Sequence, residues 1–102
     1  MILIYTSCKD TEEAVKIGTE LLEKRLAAAV NLWPIQNLKQ EDGKIKSELH
    51  AAVMIHTTEP RMQEIEDLIE KQRSYTTPYV GAIDIRRFNR PYREWMFSVI
   101  KQ

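Results

Sequence analysis

Residues 20–31 read Glu-Leu-Leu-Glu-Lys-Arg-Leu-Ala-Ala-Ala-Val-Asn, a helix pattern that passes into a strand pattern with almost no loop between. Upstream, Ala14, Ile17, Gly18, Leu21 and Leu22 recur at three-and-four spacing, which puts them on one helical face. The spacing predicts a helix that ends near Lys24 or Arg25 and a strand that starts almost at once. So short a joint must be tight, and the small side chains of Ala27, Ala28 and Ala29 let the backbones come close. Few folds accept a helix that turns straight back into a strand.

The flanking segments extend the pattern. Ile2-Leu3-Ile4-Tyr5 is a short apolar run of strand formers, as a buried central strand requires. Asp10 and Glu13 then stand where a helix N-cap and its capping box want oxygen atoms. Residues 27–38 read as a strand interrupted by Pro34, and a proline there demands an edge, a bulge or a bend. Asp42-Gly43 favours a two-residue hairpin turn, so residues 46–56 are expected to return antiparallel.

Thr58-Glu59-Pro60 opens a second helix, with Thr58 as its cap and Met62, Ile65, Leu68 and Ile69 as its apolar face. Tyr75-Thr76-Thr77-Pro78 is extended and leads into a strand over residues 79–85. Asn89-Arg90-Pro91 starts a last helix with Tyr92, Trp95, Met96, Val99 and Ile100 on one stripe. The order β-α-β-β-α-β plus a C-terminal helix is the ferredoxin-like α+β arrangement, an antiparallel sheet with two helices on one face. Its β2-β3 hairpin is long beside an ordinary strand of about 5–6 residues, so its far end must overhang and need a cover.

The 102 residues suit one domain, residues 1–102, with a modest core. Fifteen basic and fifteen acidic residues cancel, which removes any global pull toward nucleic acid or anionic membrane. A single cysteine excludes an internal disulfide and suits a reducing compartment. The apolar start is too short for a signal-peptide core, and no stretch is long enough to span a bilayer. The expected location is cytoplasmic.

Catalytic signatures are missing: no nucleophile elbow, no phosphate-cradling glycine loop and no paired metal-ligand motif. No enzyme is expected. Cys8, between the first strand and first helix, is a candidate metal ligand because a helix N-terminus favours the thiolate; a small apolar loop residue is the plainer account. His50 and His56 share a strand face but stand roughly 20 Å apart, so one ion cannot bridge them within a chain.

Arg86, Arg87, Arg90 and Arg93 surround the start of the last helix with Phe88 and Tyr92 interleaved. The neighbouring strand lacks the basic-aromatic motif of an RNA-recognition sheet, so they read as a solvated rim or as partners for acids of another subunit. Leu32, Trp33 and Ile35 put large apolar groups on both faces of the hairpin, which points to a subunit interface. Packing on the C-terminal helix is the alternative, and Trp95 is the candidate partner in either case.

Taken in order, these segments resemble the CutA-type divalent-cation tolerance family over essentially the whole chain. The resemblance rests on Tyr5-Thr6 with Asp10, on Leu21-Leu22-Glu23-Lys24-Arg25-Leu26-Ala27-Ala28 running into Val30-Asn31, and on Pro34 and Gly43-Lys44-Ile45. Thr57-Thr58-Glu59, Tyr75 with Pro78, and Tyr92 with Trp95 complete it. It implies a compact homotrimer with long hairpins pairing between subunits, an association with copper and other divalent cations, and architectural kinship with PII signal proteins. Ala29 stands where the family commonly has cysteine, Lys39 and Glu41 replace hairpin aromatics, and His56 replaces a usual lysine.

The expectation is therefore a non-enzymatic homotrimer that binds divalent metal ions of the copper type. Cys8 and His56 are its candidate metal ligands, completed by carboxylates of another subunit. The alternative is a PII-like regulatory or scaffold trimer holding a small anion or a partner protein in inter-subunit clefts, where Arg86, Arg87 and Arg90 would matter.

Overall fold

A computed structural model describes residues 1–72 and 79–101. Strands β1 (Ile2–Cys8), β2 (Ala29–Glu41), β3 (Lys44–Thr57) and β4 (Val80–Asp84) form one antiparallel sheet in the order β2-β3-β1-β4. Helices α1 (Thr11–Glu23) and α2 (Met62–Gln72) follow β1 and β3, and α3 (Arg90–Val99) follows β4. The architecture is the expected ferredoxin-like βαββαβ sheet with an added C-terminal helix and a long hairpin. The extended segment expected at residues 75–78 lies outside the described residues.

The period-two pattern of β1 separates the two faces. Ile2, Ile4, Thr6 and Cys8 are buried beneath α1 and α2, packed with Ile17, Leu21, Ile65 and Ile69. Leu3, Tyr5 and Ser7 point to the other, more open face. A second, smaller cluster joins Met96 and Ile100 of α3 to Ala28, with Met1, Phe88 and Tyr92 at its margin. That cluster seats α3 at the end of the sheet where β1 begins.

The helix-to-strand joint is built from a Schellman motif. Arg25 takes the left-handed conformation (φ 57°), its amide donates to the Leu22 carbonyl and the Leu26 amide donates to the Leu21 carbonyl. Leu21 and Leu26, both buried, make the hydrophobic contact that goes with this cap. An arginine in a place that favours glycine has a local reason. Its guanidinium donates to the Val99 and Ser98 carbonyls at 3.0 and 3.3 Å, and its own carbonyl accepts from the Lys101 amide. The joint thus ties the end of α1 to the end of α3. Gly18 lets the approach happen: a Cβ there would lie 3.2 Å from Val30 Cγ1.

Several boundaries differ from the sequence reading, for physical reasons. β2 starts at Ala29 because Leu26 and Ala27 are used in the joint, and it runs through Pro34 to Glu41 unbroken. Pro34 is tolerated because β2 is the outermost strand, so no neighbour needs its missing amide. Asp42 and Gly43 both have positive φ (54° and 76°), as a primed hairpin turn requires, and β3 therefore begins at Lys44. The second helix opens with a 3-10 turn over Glu59–Arg61, and Thr58 makes no side-chain cap bond. Asp10 does cap α1, accepting from the Glu13 amide at 2.8 Å. β4 is shorter than read, with the Ile85 amide adding one bond to the Met1 carbonyl.

β1 pairs with β3 only from Ala51 to Thr57. Residues 35–41 and 44–50 therefore form a two-stranded arm, with no third strand beside it among the described residues. The radius of gyration, 14.4 Å, exceeds the roughly 13 Å of a compact chain of this length, and the long axis spans 47 Å.

Candidate functional site

The two candidate metal ligands come to rest far apart. Cys8 is the last residue of β1, fully buried in the main core opposite Ala51. The sequence reading placed it in a loop before α1, but the strand runs one residue further and turns the thiol inward. His56 pairs with Leu3 on the sheet's other face, five residues along from the Cys8 rung. That offset puts the two side chains on opposite faces and about 17 Å apart along the strand. One chain does not bring them together. His50 and His56 do share a face, as their even spacing predicts, with His50 buried beside Ile35 and His56 at the far end.

His56 belongs instead to a polar network that joins three elements. Its Nε2 lies 2.7 Å from Asn31 Oδ1 on β2, and its Nδ1 lies 2.8 Å from the Tyr92 hydroxyl on α3. Asn31 Oδ1 only accepts, so Nε2 carries the proton and Nδ1 accepts from the tyrosine O–H. Burial holds the imidazole below its ordinary pKa and pushes the Tyr92 phenol up, and both shifts favour this neutral arrangement. Tyr92 stacks edge-on to His56 and to Phe88 and leans on Trp95 at 5.4 Å, so the network has an aromatic wall. Sequence reasoning missed it because Asn31, His56 and Tyr92 are distant in the chain; the pairing of β2 with β3 and the docking of α3 bring them together.

Imidazole is a metal-ligand type, yet Nδ1 can bind an ion here only by giving up Tyr92. Among the described residues no group of three or more His, Cys, Asp or Glu side chains converges as a cation site. The acids of the first helical turn serve structure, Asp10 as the cap and Glu13 by accepting from the Lys9 amide. Glu20 accepts from Gln72 and pairs with Lys24, which lowers its pKa.

The arm is the other unusual surface. Leu38, Ile45 and Leu49 are 66%, 76% and 73% exposed, all on the face that would continue the helix side of the sheet. Trp33, on the opposite face, is 42% exposed. Glu41 holds both Lys39 and Lys46 near the tip, while Glu48, Gln36 and Ser47 stand among the apolar groups of the shaft.

The fold defines the class: a ferredoxin-like chain with an outsized β-arm and a C-terminal helix at the sheet end. Its family is more specific than its fold. A sequence model of the CutA1 divalent ion tolerance protein family matches residues 2–99. A relative from Archaeoglobus fulgidus, described as divalent-cation tolerance protein CutA, is 35% identical over 96% of each chain. The solved structure of the Archaeoglobus fulgidus protein, whose description calls it periplasmic, has a TM-score of 0.95 at 34% identity, covering 99% of this chain and all of that one. CutA1 from Pyrococcus horikoshii also superposes with a TM-score of 0.95, at 28% identity over the whole of both chains. The chain belongs to the CutA1 divalent ion tolerance family, a non-catalytic family, as the sequence resemblance implied.

Proposed function

We propose that this protein handles divalent cations as a homotrimer, the arm of each copy packing on its neighbours, with copper-type ions held at subunit boundaries. The observation that supports assembly is the arm itself: residues 35–41 and 44–50 carry Leu38, Ile45 and Leu49 exposed along one face. Among the described residues nothing covers them, and a bare two-stranded edge invites pairing. Sedimentation at micromolar and lower concentration tests it. A species of three times the 12.0 kDa chain mass is expected; a folded single chain throughout would reject it.

Imidazole and thiolate suit copper and zinc, so His56 and Cys8 are the ligands proposed on chemical grounds. His56 is half-buried on the open face, where carboxylates of another copy can complete a set once Nδ1 exchanges Tyr92 for the ion. Cys8 can take part only by opening the core around it. Isothermal titration with Cu(II), and with Cu(I) under reducing conditions, tests the assignment. His56→Ala should weaken binding more than Cys8→Ala. No saturable binding at micromolar metal, or binding indifferent to both changes, rejects it.

A further inference from the structure

Two adjoining cavities of about 210 and 430 Å³ open where α3 crosses the sheet end, sharing Met1, Thr58 and Phe97. The larger is mainly apolar, with Pro60 and Ile100 in its wall, and the smaller sets Phe88, Met96 and Phe97 beside an about equal share of polar surface. Their rim is basic, with Arg86 and Arg93 on the first and Arg61 and Lys101 on the second, and among the described residues no carboxylate lines either one.

The rim cations are not equally engaged. Glu64 pairs with both Arg61 and Lys101, so one acid is shared between two bases. Among the described residues no ion pair is formed by Arg86 or Arg93; Arg93 lies over the Phe88 ring at 5.2 Å. Phe97 remains 55% exposed between the two cavities. Solvated arginines on a convex rim would need no explanation. Two guanidinium groups without acids, turned into one concavity beside an exposed ring, have the makings of an anion site with an apolar floor.

We infer that this groove binds a small organic anion, a carboxylate or phosphate ester with a flat apolar body. Its charged end meets Arg86 and Arg93, and its ring lies on Phe97 and Met96. Guanidinium forks match carboxylate and phosphate oxygen atoms in pairs, and the aromatic floor selects against a bare inorganic ion. The site is complete within one chain and independent of the metal reading above.

Titration calorimetry and amide-shift mapping on the whole protein, with phenyl phosphate, benzoate, inorganic phosphate and benzylamine as probes, test the inference. Phenyl phosphate or benzoate should bind saturably, once per chain, with shifts centred on Arg86, Arg93 and Phe97. Inorganic phosphate should bind about tenfold more weakly, and the cationic benzylamine not at all. An Arg86→Gln, Arg93→Gln double variant with an unchanged melting temperature should lose about tenfold in affinity for the aromatic anions. Should that variant melt early, the Arg86→Lys and Phe97→Ala single variants serve instead, each expected to weaken binding. No saturable binding in the millimolar range, affinity unaffected by these substitutions, or equal affinity for inorganic phosphate or benzylamine would overturn it.

Discussion

The two halves of the β2–β3 hairpin have the same antiparallel pairing and opposite surroundings. From Ala51 to Thr57, β3 lies between β2 and β1 with helices beneath, and Ala51, Val53 and Ile55 are completely buried. From Lys44 to Leu49 the same strand is exposed on both faces, although Ile45 and Leu49 continue the inward-facing side. The pattern of side chains is nearly continuous; what stops is the layer under it. Burial in this chain is therefore set by which element lies opposite, and among the described residues no helix or further strand lies against the arm.

The contrast gives a large expected difference. Ile55→Ala, in the packed half, should destabilise the chain by about 2–5 kcal/mol in denaturant unfolding. Leu49→Ala, in the arm, should cost within about 0.5 kcal/mol in an isolated subunit. If copies cover the arm, Leu49→Ala should act on dissociation instead, shifting sedimentation toward lighter species. Equal costs for both under dissociating conditions would show that the arm is packed within its own chain.

Arg25→Ala comes next. It removes two charge-assisted bonds to the Val99 and Ser98 carbonyls while keeping a non-glycine residue in the left-handed region, at a cost of about 1–2 kcal/mol. Arg25→Gly relieves the backbone and should cost less than alanine. Hydrogen exchange in the last turn of α3 should quicken in both. Exchange unchanged there would mean that α3 is held by Met96 and Ile100 alone.

At the arm tip, Gly43→Ala should cost about 1 kcal/mol. The cause is purely conformational, since φ is 76° and a Cβ would meet nothing within 4 Å. Measured against the body, this checks whether the tip folds with the rest: a melting temperature unmoved by the change would mean that the tip opens separately.

The smallest effect belongs to His56. Burial lowers its folded-state pKa, so its contribution is present above the unfolded value of about 6.5 and is lost as pH falls toward and through the folded value. Between about pH 7.5 and 5.5 the wild-type melting temperature should fall more than that of His56→Gln. Glu20, held down first by its bond from Gln72 and then by Lys24, and Glu41, held down by Lys46 and Lys39, lose their contributions only further into the acid range. Parallel pH profiles for the two proteins would remove His56 from the account.

Much of the fold was legible because its signals are local. The period of α1, the Asp10 cap and the Asp42-Gly43 turn each depend on neighbours in the chain, and the structure uses all three. Thr58 shows where that logic weakens: its position was right, but a 3-10 turn follows it and its hydroxyl does no capping. Thr57, next to it, does more, donating to the Leu26 carbonyl at 2.7 Å inside the joint, and no local pattern announces that bond. The candidate site was less legible still, because Asn31, His56 and Tyr92 meet only after β2, β3 and α3 have docked.

By itself the amino-acid order determined the elements, their sequence, the tight α1–β2 joint and the family, since these follow from spacing, turn residues and small side chains. Only the tertiary structure decided that Pro34 sits on an edge, that Cys8 points into the core and that His56 answers to Tyr92. A strand residue can face either side of a sheet, and its surroundings come from strands and helices far away in the chain. Local preference has no access to that choice; packing makes it.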